Sequence, residues 1–187
     1  MKVVAVSGYF DPIHVGHLEY LRLSKKLGDK LVVIVNNNHQ CILKKGKPFM
    51  DEKDRLEIVK SLEMVDEVFL SIDKDKSVCA SLEAIKPDIF ANGGDRSTGE
   101  VPEAKICQKY KTKFLINDDV LLAKRLNSDG CHLGQKDMKI LQARKILKKK
   151  IIGITCHNSI KLAKLALSVG SSDCEEELSM PGVNTVT

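Results

Sequence analysis

The sequence predicts an α/β fold, a doubly wound parallel sheet of about five strands with additional C-terminal β-α units, and three observations predict it. Short apolar runs occur without polar alternation, as expected of strands buried on both faces of a parallel sheet. Between them lie segments whose large apolar residues recur at helical spacing. The two kinds of segment alternate along all but the end of the 187 residues, which specifies parallel strands joined by right-handed helical crossovers.

In chain order, residues 2–7 (KVVAVS) read as a strand, 15–27 as a helix and 30–35 (KLVVIV) as a second strand, completing a β-α-β unit. A helix over 51–62, a strand over 67–70, a helix over 78–85 and a strand over 88–91 continue the pattern. A helix over 102–110 and a fifth strand over 113–116 complete the expected Rossmann-like domain, residues 1–116. The second expected domain, residues 117–187, holds a helix over 120–126, a strand over 130–133, a helix over 138–148, a strand over 150–155 and a helix over 159–169. The last stretch, SSDCEEELSMPGVNTVT, has no clear period and few large apolar residues, and is expected to be loose. Sheets of this kind bind ligands beyond the carboxyl ends of their strands, which directs attention to the loops after Ser7, Val35, Leu70 and Ala91.

Composition narrows the function classes. With 43% hydrophobic and 29% charged residues, the chain resembles soluble globular proteins rather than disordered or membrane ones. No stretch approaches the ~20 apolar residues of a membrane span. The opening MKVVAVSGYF is broken by Gly8, Asp11 and Pro12 too soon for a signal peptide, so a cytoplasmic protein with no membrane partner is expected. Six cysteines stand singly with no C-x-x-C pair, as ordinary reduced thiols do. The net charge of +5 suits small anionic ligands and, being evenly mixed with acids, gives no reason to expect nucleic acid.

The loop leaving the first strand, GYFDPIHVGH, opens a helix. Gly8 permits a tight turn, Asp11 suits a cap and Pro12 fixes the entry. His14 and His17, three residues apart, share a face of the first helical turn. Backbone N–H groups and the dipole at that end attract phosphate, and Gly16 keeps the surface low enough for a nucleotide to approach. Two imidazoles there can donate to a triphosphate and to charge developing at an attacked phosphorus. The competing reading, two surface histidines or half of a metal site, would suit a bare H-x-x-H. The Gly-Tyr-Phe-Asp-Pro that precedes this one, directly after a buried strand, favours phosphate.

The run GYFDPIHVGHLEYL resembles the H-x-G-H nucleotidyltransferases of the cytidylyltransferase-like superfamily. The resemblance extends through KKGKPFMDEKDRLEIVKSL and IKPDIFANGGDR to about residue 110. It implies in-line attack of a small phosphorylated acceptor on the α-phosphorus of CTP or ATP, release of pyrophosphate, and magnesium (Mg2+) bridging the phosphates. His14 and His17 would contact the phosphates, and Lys44, with Lys45 as its stand-in, would neutralise them. Arg55 would reach back from the next helix. Gly8, Tyr9, Phe10 and Gly16 would line the nucleotide, Asp11 would lie near the metal or acceptor, and Gly93, Gly94 and Asp95 would form a loop beside base and ribose. From the residues alone, Lys44–Lys47 also reads as a solvated basic loop, Arg55 as a partner of Asp51, and Gly93-Gly94 as a turn. A homodimer is left open. The serine-rich segment with which the family usually finishes its triphosphate site is absent from this sequence.

In its place, KFLINDDVLLAKRLNSDGCHLGQKDM, followed by KIIGITCHN, resembles thiamine-phosphate synthase, a TIM-barrel enzyme. That resemblance implies that Asn117, Asp118 and Asp137 sit around a magnesium and pyrophosphate site, with Thr155 and His157 near substrate. A complete barrel needs about 200 residues and eight β-α units, and residues 113–187 offer two and a half. The expectation is extra β-α layers with a truncated or frameshifted end, Asp118 and Asp137 being metal ligands only if the segment functions. The functional expectation is therefore a magnesium-dependent nucleotidyltransferase. The alternatives are a nucleotide-binding protein that has lost catalysis, or a bifunctional fusion with thiamine-phosphate synthase.

Overall fold

The computed structural model describes residues 1–92, 101–134, 137–154, 159, 164–166 and 168–169. The chain divides into two compact units, Met1–Phe114 and Leu115–Thr187.

The first unit is built around β1 (Val3–Gly8), which pairs in parallel with β2 (Lys30–Val35) on one side and β4 (Ile89–Asn92) on the other; β3 (Glu67–Leu70) lies outside β2. Val6 stands opposite Val33 and Ala91 in the two registers. Val4, Ala5 and Val6 of β1 and Leu31 through Val35 of β2 are all buried, which is why these strands carry no polar alternation. Each such Val, Leu or Ile side chain contributes about 1.5–3 kcal/mol by leaving water. Beyond Tyr110, the start of β5 (Lys113–Asn117) still belongs to this unit: the Lys113 N–H donates to the Asp88 carbonyl, and Phe114 stacks on Phe90 with centroids 5.9 Å apart.

Helices α1 (Val15–Lys25), α3 (Glu52–Lys60), α4 (Cys79–Ile85) and α5 (Glu103–Tyr110) fall where the periodicity places them, each a residue or more shorter than expected. One helix was not expected. Residues 38–45 form α2 (Asn38–Lys45), so Lys44 and Lys45 end a helix instead of riding a loop. Its apolar signal is weak because Ile42 and Leu43 are exposed while Gln40 and Cys41 are buried. Its start is fixed by a reciprocal cap: the Gln40 N–H donates to Asn37 Oδ1 at 2.9 Å, and the Asn37 N–H donates to Gln40 Oε1 at 3.1 Å. Gly46, at φ 83°, ends it in a conformation that other residues resist.

In the second unit β5, β6 (Gly130–Leu133) and β7 (Ile151–Ile154) run parallel in that order, with Ile116 opposite Cys131 and Cys131 opposite Ile152. Helices α6 (Val120–Arg125) and α7 (Ile140–Leu147) connect them, burying Leu122, Ala123, Ile140 and Ala143. Of the helix expected over 159–169, residues 164–166 and 168 are described and helical. The tail from residue 170 lies outside the described residues. Among the described residues no helix is long and apolar enough to cross a membrane.

Candidate active site

The chain leaves β1 at Gly8 and must turn sharply before α1. Phe10 makes the turn with φ 49° and buries its ring back beneath Gly8, where an added Cβ would lie 2.7 Å from the ring. Gly8 is therefore held to glycine by its neighbour. The Asp11–Pro12 peptide is cis. The chain then enters α1 with His14 as the residue before its first turn.

His14 and His17 are brought together, ring centroids 3.8 Å apart with the planes tilted by 33°, and Phe10 flanks His17 at 5.0 Å. The backbone N–H of His14 donates to His17 Nδ1 at 3.2 Å. A ring nitrogen that accepts carries no proton, so the neutral imidazole bears its hydrogen on Nε2 and offers that edge as a donor. Partial burial, then the charges of His14 and Lys44, push the His17 pKa down to about 4, so the ring is neutral at physiological pH. An added Cβ on Gly16 would stand 3.1 Å from the His14 ring, so a larger residue there would displace that imidazole.

The two lysines ending α2 take different partners. Lys44 is exposed, its ammonium 4.3 Å from the Tyr9 ring centroid. Lys45 instead reaches the Asp11 carboxylate at 2.5 Å and the Asp11 carbonyl at 2.6 Å. The Asp11 side chain is fully buried and also accepts from the backbone N–H groups of Phe49 and Met50 at 2.9 and 2.7 Å. Burial raises its pKa, but Lys45 and the two N–H groups outweigh that and leave it below the usual carboxylate value. Asp11 thus ties the histidine loop to the segment between α2 and α3.

Arg55 is the largest fully buried side chain of the described residues. It does not pair with Asp51, which caps α3 through the Lys53 N–H and accepts from Asn38 Nδ2. Its guanidinium donates to the carbonyls of Tyr9 (2.9 Å), Asn36 (2.5 Å) and Met50 (3.2 Å) and to Asn38 Oδ1 (3.0 Å). Fully buried, it ties together three segments of chain, at Tyr9, at Asn36 and Asn38, and at Met50. Asn36 to Asn38 and Gln40, residues with no role in the sequence analysis above, belong to the same hydrogen-bonded framework. Asn37 Nδ2 donates to the carbonyls of Ser71 and Asp73, and Gln40 Nε2 to those of Asp75 and Ser77. The N-x-x-Q capping pattern was the available signal. Gly93, Gly94 and Asp95 lie outside the described residues.

In the second unit, Asp118 and Asp137 converge. A Cβ built on Gly134 would lie 3.0 Å from Asp137 Oδ2 and 3.9 Å from Asp118 Oδ1, and the Gly134 N–H donates to that Asp137 oxygen at 2.6 Å. Asn117, at the end of β5, stands opposite His132 in the register. Burial, with Asp118, Asp119 and Asp137 nearby, pushes the Cys131 thiol up to about 12. Thr155 and His157 lie outside the described residues. No group of three or more metal-ligating side chains is gathered among the described residues of the chain.

A family model described as cytidylyltransferase-like matches residues 5–121, and one described as thiamine monophosphate synthase matches residues 101–172. The FAD synthase of Thermoplasma acidophilum is 42% identical over 101 residues, covering 54% of this chain and 69% of that protein. The thiamine-phosphate synthase of Pelagibacter ubique is 73% identical over 67 residues, covering 36% of this chain and 32% of that one. The crystal structure of a lipopolysaccharide core biosynthesis protein from Thermoplasma volcanium superposes with a TM-score of 0.54 at 33% identity, covering 62% of this chain and 95% of that one. The chain spans 32% to 40% of the length of the thiamine-phosphate synthases it matches, and 64% to 66% of two further FAD synthases.

Proposed function

The chain belongs to the cytidylyltransferase-like family, and from that premise we propose that its first unit transfers a nucleotidyl group from a nucleoside triphosphate to a small phosphorylated acceptor. An acceptor phosphate oxygen forms a bond to the α-phosphorus as the bond to the β-phosphate oxygen breaks, and pyrophosphate leaves with that electron pair. Of CMP and AMP, AMP is the better supported, because the product named for the FAD synthase relatives is an adenine dinucleotide.

The observation that carries the reading is the close His14–His17 pair at the opening of α1, ring centroids 3.8 Å apart, with the Lys44 charge felt at His17. The α1 amides and dipole hold phosphate. His17 Nε2–H donates to a phosphoryl oxygen as charge grows on it, and Lys44 neutralises the polyphosphate. Gly16 leaves room for the nucleotide. Arg55 and the Asp11–Lys45 pair hold the histidine loop and the segments facing it in place.

Magnesium is the cofactor expected from the resemblance, and the protein groups described do not fit it as direct ligands. The Asp11 oxygens are filled by Lys45 and two N–H groups, and no group of three or more metal-ligating side chains is gathered among the described residues. We place any magnesium on the substrate phosphates, where that ion usually keeps most of its waters, and no step above depends on it.

The test is pyrophosphate release from ATP or CTP with a panel of phosphorylated alcohols, sugars and flavins, beside a His17→Ala control. Measurable nucleotide binding without release from any pair would leave a binding protein, not an enzyme. A second reading, thiamine-phosphate synthase chemistry in residues 117–187, is favoured by the convergence of Asp118 and Asp137. Its signature is pyrophosphate release that needs a thiazole phosphate and a pyrimidine pyrophosphate, and no nucleoside triphosphate.

A further inference from the structure

An exposed lysine at the end of a helix has a four-carbon stem free to sample many rotamers, and Lys44 is such a residue. Its ammonium nevertheless lies over the face of the Tyr9 ring, 4.3 Å from the centroid, within the range in which the ring quadrupole attracts a cation. Tyr9 is a firm support. Arg55 Nη1 grips its carbonyl at 2.9 Å, and its neighbour Phe10 is buried under Gly8. The other lysine of the pair is committed to Asp11, so the two cations ending α2 are sorted by their partners, one to structure and one to the open face.

We propose that Tyr9 is a positioning residue for Lys44: its ring parks the ammonium beside the histidine pair, so an arriving polyphosphate meets an ordered cation. The resemblance had placed Tyr9 against the nucleotide itself; the geometry has it act through Lys44. That an anion is what arrives rests on the nucleotidyltransferase reading. The path runs from a buried guanidinium, through a backbone carbonyl and an aromatic ring, to a charge on the surface. Arg55, although sealed from solvent, thereby bears on where the Lys44 charge stands.

Two measurements test it. The first needs neither ligand nor turnover. In protein labelled with 13C-lysine, ring current should shift the Lys44 ε-methylene protons upfield in the wild type and in Tyr9→Phe, and the shift should vanish in Tyr9→Leu. The second is a double-mutant cycle on the KM of the triphosphate. Tyr9→Leu should raise KM about two- to five-fold with little change in kcat, Tyr9→Phe, which keeps the ring, should raise it less than Tyr9→Leu does, and in a Lys44→Gln background Tyr9→Leu should add nothing. Unshifted Lys44 protons in the wild type overturn the proposal even if Tyr9→Leu fails to fold, and so does an equal Tyr9→Leu penalty with and without Lys44. If the wild type releases no pyrophosphate, the nucleotidyltransferase reading falls while the NMR result still decides whether Tyr9 holds Lys44.

Discussion

The two units gather opposite charge near the carboxyl ends of their parallel strands, Lys44 from the end of α2 in the first and Asp118, Asp119 and Asp137 after β5 and β6 in the second. After β1, burial together with His14 and Lys44 pushes the His17 pKa down to about 4. On β6, burial together with Asp118, Asp119 and Asp137 pushes the Cys131 thiol up to about 12. Burial disfavours the charged form in both, and the neighbouring charges add to it with opposite signs. The first site suits an anion, and the carboxylates after β5 and β6 disfavour one. The difference teaches that the parallel-strand scaffold provides the location and leaves the chemistry to the residues on the loops.

The largest expected break in that contrast is His17→Ala. It removes a donor from the anion site, and pyrophosphate release should fall about 100-fold or more while the nucleotide dissociation constant moves far less. An equal loss in binding and turnover would make the ring a ground-state contact only. Next is Arg55→Ala, which orphans the carbonyls of Tyr9, Asn36 and Met50 and should cost about 3 kcal/mol of stability, read from the denaturant midpoint. If the midpoint holds and only nucleotide affinity drops, Arg55 is a phosphate ligand and not a brace.

The electrostatic difference can be sharpened by titration. A folded His17 pKa near 4 lies below the ordinary value near 6.5. Between those values the unfolded chain takes up a proton that the folded chain refuses. His17 therefore lowers stability progressively as the pH falls from about 6.5 to about 4, and adds no pH dependence above that window. NMR should show its midpoint near 4 in the free protein and a higher one in Lys44→Gln. A midpoint near 6.5 would mean the loop is open and uncharged in solution. The smallest effect is expected at Asp118→Asn. Losing one nearby negative charge should lower the Cys131 pKa and modestly speed its alkylation at a fixed alkaline pH. Burial, the larger cause, stays in place. An unchanged rate would remove Asp118 from that cluster.

Much of the fold was legible because burial on both faces writes itself into composition: KVVAVS and KLVVIV can be little else. Helix α2 was not, since a short helix with Ile42 and Leu43 exposed leaves no apolar stripe, and its stability comes from the Asn37–Gln40 cap and the hydrogen-bonded framework around it. The histidine spacing was equally readable, because three residues on a helix bring two side chains to one face.

By itself, then, the sequence determined the strands, the α/β class and a histidine pair at a helix opening, all of which depend on local spacing and hydrophobicity. Which of two adjacent lysines faces the open loop, that Asp11 is a buried clamp, and that Arg55 is a buried brace were decided only by the tertiary structure. Each depends on partners far along the chain: Asp11 meets Phe49 and Met50, and Arg55 meets Tyr9 and Asn36. A charged side chain's role follows from what it touches after folding, and residue type and spacing do not encode that contact.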